Sequence, residues 1–139
     1  GKEEYLDSEK YQLRQRDWQA PGNIVAQIAQ LNAIRRANPA LQTHRGFTAV
    51  ESGNEHVLCF WKATPCRGNV VLAAISLDPH GAQQARLEAP FWLFGQPDGG
   101  RLRAEDLLAG GLEAWHGKWR SITLHPDQPY RLWRLSAHD

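Results

Sequence analysis

From Phe47 onward the chain is cut into short runs of β-branched and aromatic residues, each closed by glycine, proline, asparagine or aspartate. That spacing constrains the fold more than any other feature, because such runs bury one face each and need a second layer to cover it. Strands are expected near 47–52, 56–64, 69–78, 83–94, 112–115, 118–125 and 130–136. Turns are expected at Ser52-Gly53-Asn54, Pro65 to Gly68, Asp78 to Gly81, Gln96 to Gly100 and Pro126 to Pro129. The stretch LRAEDLLA, 102–109, reads as a helical turn or an irregular connection. Seven or so strands at this spacing imply a mainly β protein with an antiparallel β-sandwich. Alternation and continuous apolar runs place Phe60, Val71, Leu72, Ile75, Phe91, Leu93, Leu124 and Leu132 in its interior.

The residues before Phe47 follow other rules. In 22–37, Ile24, Ile28, Leu31 and Ile34 recur at helical spacing and form one apolar stripe. Pro21 and Gly22 precede the helix, Asn23 is a candidate cap, and Asn38-Pro39 stops it. A lone helix cannot bury its own stripe. It folds back on the sandwich, pairs with a second copy or stays partly disordered. Pairing into a homodimer is the favoured outcome, since identical stripes are self-complementary across a two-fold axis. Residues 1–20 carry nine charges together with Tyr5, Leu6, Tyr11, Leu13 and Trp18. They read as a long ordered loop, which is usually functional. No methionine occurs, position 1 included, which fits a piece excised from a longer chain.

The balance of charge limits the partners. Sixteen basic and fifteen acidic residues are well mixed, for a net charge of +1. No field of polyanion size results, so nucleic acid is a poor partner. No apolar run approaches the roughly 20 residues that span a bilayer. Cys59 and Cys66 have no metal-type spacing and read as free thiols of a reducing, cytoplasmic protein. The histidines at 44, 56, 80, 116, 125 and 138 show no i, i+4 pair for zinc. No nucleophile elbow or glycine-rich phosphate loop occurs. No metal or cofactor is therefore expected. Glu3-Glu4, Asp7, Glu9 and Asp17, and later Glu105-Asp106, are the acid clusters. Glycoside chemistry needs two carboxyls roughly 5–10 Å apart across a bound sugar, and neighbouring acids more often face solvent or cap turns. Six tryptophans are many for 139 residues. Trp61, Trp92, Trp115, Trp119 and Trp133 lie on or beside the expected strands. They serve either as core packing, the favoured reading, or as platforms for sugar rings in a carbohydrate-binding module.

Three runs together carry a resemblance: EEYLDSEKYQLRQRDW, then PGNIVAQIAQLNAIRRANPAL, then DLLAGG, WHGKW and ITLHPDQPYRLWRL. They resemble the C-terminal end of the α-amylase superfamily, and more closely the family of bacterial α-1,4-glucan:maltose-1-phosphate maltosyltransferases. The resemblance implies that residues 1–44 end a catalytic (β/α)8 barrel, with the loop after strand eight and the eighth helix. Residues 45–139 would then form the C-terminal β-sandwich domain. It implies an enzyme of α-glucan (glycogen) biosynthesis that moves maltosyl units from α-maltose 1-phosphate to α-1,4-glucan ends. The reaction would retain configuration through a glycosyl-carboxylate intermediate. The family's catalytic acids match no residue here. Its Ser-Glu-Lys-Tyr motif matches Ser8, Glu9, Lys10 and Tyr11, and the resemblance places Lys10 and Tyr11 near the donor maltosyl unit. A lysine donates to sugar hydroxyls, and a tyrosine offers a ring face and a hydroxyl. The chain alone is expected to be structural and inactive.

Overall fold

The computed structural model describes residues 21–43 and 47–138. The expected loop over 1–20 lies outside the described residues. The chain divides into two compact units after Arg35.

Helix α1 runs over Pro21–Ala37, seventeen residues. It starts on the proline itself, whose fixed φ and missing N–H suit a first helical turn. Asn23 therefore falls inside that turn rather than at the cap. Of the apolar stripe, Ile28 and Leu31 are 54% and 37% exposed and Ile34 is buried. The Ile24 side chain lies outside the described residues. The helix ends where Asn38 turns extended, with φ −128° and ψ 96°, ahead of Pro39, as the pyrrolidine ring demands of its predecessor. A 3-10 turn, Pro39–Leu41, follows and lies against two strands of the sandwich.

Eight strands are described: β1 Phe47–Val50, β2 Val57–Ala63, β3 Val70–Ser76, β4 Gln83–Glu88, β5 Arg101–Asp106, β6 Leu112–His116, β7 Trp119–Leu124 and β8 Tyr130–Ala137. They form a six-stranded sheet in the order β1-β2-β3-β8-β5-β6 and a two-stranded sheet, β4-β7, every pair antiparallel. The mainly β, antiparallel sandwich is thus the fold of the chain. Its interior takes alternate residues from each strand: Val57 and Cys59, Val70, Leu72 and Ala74, Ala85 and Leu87, Leu102 and Ala104, Trp133 and Leu135. Trp115 and Trp133 meet edge to face there, centroids 5.3 Å apart, the arrangement that ring quadrupoles favour. β3 is exceptional in that Val71 and Ala73, on its other face, are also fully buried. Burial on both faces is what an unbroken VVLAAI run encodes.

Two sequence expectations are corrected. The strand expected over 83–94 stops at Glu88, and Phe91–Phe94 form a 3-10 turn closed by Gly95 in the left-handed region at φ 70°. Pro90 has no N–H for a ladder. Phe91 and Leu93 are nonetheless buried, so their alternation imitated a strand. The segment over 102–109 is no helical turn in its first half, because 101–106 is β5, inside the large sheet. Leu102 and Ala104 point inward while Arg103 and Glu105 face outward, and the helix-favouring charges masked that period of two. Of the expected interior, Val71, Leu72, Phe91, Leu93 and Leu124 are buried, and Phe60, Ile75 and Leu132 are half-buried.

Candidate functional site

Lys10 and Tyr11, with Ser8 and Glu9, lie outside the described residues. The acid cluster inside them is structural. Glu105 pairs with Arg134 across the β5–β8 ladder. Asp106 meets Arg131 at 3.3 Å, and its Oδ1 accepts the Leu108 and Ala109 N–H groups, each at 2.9 Å. A carboxylate held by two amides and a guanidinium fixes a turn. It is not poised above an open cleft. Among the described residues no three histidine, cysteine or acidic side chains come close enough to hold a metal. Both cysteines are free. Burial pushes the Cys59 thiol up to about 11. The exposed Cys66 thiol is held below its ordinary value by the Thr64 hydroxyl, then by the Gly68 amide.

A buried amide pair marks the entry to the sandwich. Asn69 Nδ2 donates to Asn38 Oδ1 at 3.0 Å, and Asn69 Oδ1 accepts the Ala40 N–H at 2.9 Å. Asn38, Ala40 and Asn69 are all buried. Buried amides persist only when so satisfied. The pair therefore fixes the 3-10 turn against the start of β3.

The tryptophans split into three groups. Trp115 and Trp133 are core, as the packing reading requires, and Trp61 is half-buried at its edge. Trp92 and Trp119 are not core: they are 61% and 45% exposed. Trp92 leans edge-on against Trp61, with centroids 6.0 Å apart, and the Arg67 guanidinium lies 5.5 Å from its ring centre.

Trp119 has richer surroundings. In the β4–β7 ladder Gln84 faces Thr123, Arg86 faces Ser121 and Glu88 faces Trp119. The partners between them, Ala85, Leu87 and Leu124, point into the core, so these six side chains share the outer face. The Arg86 guanidinium lies 4.3 Å from the centre of the Trp119 ring. Lys118 Nζ is 5.7 Å from the same centre and bridges Glu88 at 2.7 Å and Asp98 at 3.2 Å. Glu88 first, and Asp98 second, hold the Lys118 ammonium above its usual range. A shallow depression of about 410 Å³ opens along this face, rimmed by Ser52 and Gly53. Sequence reasoning grouped Trp119 with the core tryptophans. The distinguishing signal was the alternation Ser121-Ile122-Thr123-Leu124, which puts Trp119 on the side of the two hydroxyls.

Comparison with known proteins places these features in a family. A sequence profile described as "GLGE, C-terminal" matches residues 49–133. The α-1,4-glucan:maltose-1-phosphate maltosyltransferase of Pseudomonas aeruginosa is 56% identical over 140 aligned residues, covering 100% of this chain and 21% of that protein. The protein of the same name from Cereibacter sphaeroides is 44% identical, covering 99% and 21%, and that of Burkholderia pseudomallei 48%, covering 96% and 12%. The chain thus spans about a fifth or less of the length of these relatives. An Anoxybacillus α-amylase crystal structure has the same fold, with a TM-score of 0.57 at 17% identity over 84% of this chain and 23% of its own. With a two-sheet antiparallel sandwich and a family profile matched across most of it, the chain belongs to the GLGE C-terminal family.

Proposed function

We propose that this chain is the C-terminal part of a maltosyltransferase that moves maltosyl units from α-maltose 1-phosphate to the ends of α-1,4-glucans. The observation that carries this reading is the 56% identity to a protein of that name across the full 139 residues. The match takes in residues 1–44 as well as the sandwich. On this reading residues 1–44 close the catalytic barrel and residues 45–139 are a supporting domain. The enzyme acts in the cytoplasm, in α-glucan (glycogen) biosynthesis. The catalytic carboxylates reside in the remaining length of the protein. Lys10 and Tyr11 contact the donor: the ammonium donates to maltosyl hydroxyls, and the phenol contributes a ring face and a hydroxyl.

The test is made in the full-length protein. Lys10→Ala and Tyr11→Phe are expected to lower kcat/KM for α-maltose 1-phosphate by about tenfold or more, the worth of one or two lost hydrogen bonds to a sugar. Thermal unfolding should be unchanged. Equal use of the donor by both variants would remove these residues from the site. Absence of phosphate release by the unmodified protein would remove the function.

A further inference from the structure

We propose that the outer face of the β4–β7 sheet, centred on Trp119 and Arg86, binds α-1,4-linked glucan chains. The choice of an α-1,4 chain rests on the maltosyl-transfer reading; the chemistry of the surface does not. Three observations carry the inference.

The first is the state of Trp119. A large apolar side chain at 45% exposure loses burial that Trp115 and Trp133 obtain. Its ring is not loose, because Arg86 and Lys118 flank it at 4.3 and 5.7 Å from its centre. An indole already held in one orientation gives up little entropy when a ligand covers it. A glucose ring presents a face of C–H groups, which matches the negative face of an indole.

The second is the polar row beside it. Gln84, Ser121 and Thr123 are exposed, and their side chains make no hydrogen bond among the described residues. Arg86 has no carboxylate partner there either, whereas two arginines of the large sheet do: Arg131 with Asp106 and Arg134 with Glu105. Its fork of donors matches two vicinal hydroxyls. A hydroxyl or amide both donates and accepts, as each sugar hydroxyl does. A row of such groups favours a neutral polyhydroxyl chain over an anion.

The third is length. Trp119, Ser121 and Thr123 alternate along β7, so the row extends roughly 13 Å at about 3.3 Å per residue. That is longer than one sugar ring, and the depression takes up the Ser121–Thr123 end of the row, beside Ser52 and Gly53. An open depression of this kind retains the chain weakly.

Backbone amide NMR of the 139-residue chain titrated with maltoheptaose tests this. The amides of 84–88 and 119–123 are expected to shift, with a Kd of order 1 mM. Trp119→Ala and Arg86→Ala should weaken binding about tenfold, roughly 1.4 kcal/mol. Trp92→Ala should leave it unchanged. If Trp119→Ala does not fold, the double variant Ser121→Ala/Thr123→Ala reads the same surface and should also weaken binding. The proposal is overturned if maltoheptaose shifts no amide on β4 or β7. It is equally overturned if affinity survives loss of Trp119 or of both hydroxyls, or if a β-1,4-linked oligomer of equal length binds as well. The transfer reading fails in a different experiment, by absence of phosphate release from the full-length protein.

Discussion

Leu72 and Ile75 lie three residues apart on β3, and the sequence assigns both to the interior. Leu72 points into the core and is fully buried, whereas Ile75 lies on the opposite face and is half-buried. Leu72→Ala is therefore expected to cost about 2–5 kcal/mol, and Ile75→Ala distinctly less. Urea unfolding with an unchanged m-value would show the difference as a shift of midpoint; equal shifts would contradict the assignment of faces. A different residue, Asp78, governs a pH effect. Its Oδ1 accepts the His80 N–H at 2.8 Å and its Oδ2 the Gln83 amide at 2.7 Å. These bonds, the His80 amide foremost, hold the carboxyl below its usual range. The unfolded value is about 3.9, so the folded pKa is the lower one. The contribution of the carboxylate is complete above the unfolded value and is lost as pH falls through the folded value. The stability gap between the protein and Asp78→Asn should be constant from neutral pH to about pH 5 and close only as pH falls below the unfolded value. A gap that persists in acid would show that the carboxylate charge is not what the loop uses.

The elements differ in how openly the sequence declared them. Helix α1 and the strands β1, β2, β3, β6, β7 and β8 were legible because a single period ran through each, ended by Pro, Gly or Asn. β5 was not. Its apolar positions are only Leu102 and Ala104, and Arg103 and Glu105 between them are good helix formers. What makes it a strand is tertiary: β8 on one side and β6 on the other supply its ladder, and Arg134 awaits Glu105. Trp119 failed for a related reason, since an exposed tryptophan and a core tryptophan look alike in a list of strands. The β4–β7 register, with Glu88 opposite Trp119 and Arg86 opposite Ser121, separates them. For α1, Ile28 and Leu31 are exposed, and pairing of identical stripes across a two-fold axis stays a prediction. Ile28→Asp with Leu31→Asp should give a monomer whose sandwich melts as before. Sedimentation reporting the same mass before and after the change would rule out pairing through this helix.

For the molecule as a whole, Glu105 and Asp106 are tied to Arg134 and Arg131, and Glu88 and Asp98 to Lys118. The chain alone is expected to release no phosphate from α-maltose 1-phosphate and to cleave no glucan. Either activity above a blank would contradict that. The order of strands has a further consequence. β8, the last strand to be synthesised, lies between β3 and β5 in the middle of the large sheet. Until it emerges, β1-β2-β3 and the β5-β6 hairpin are separate fragments, each with an open edge of unpaired amides and carbonyls. The ribosome must deliver nearly the whole domain before it can close, and in that interval a chaperone or another nascent chain can reach those edges. Shortening the chain ahead of Tyr130 would not trim the domain but divide it in two.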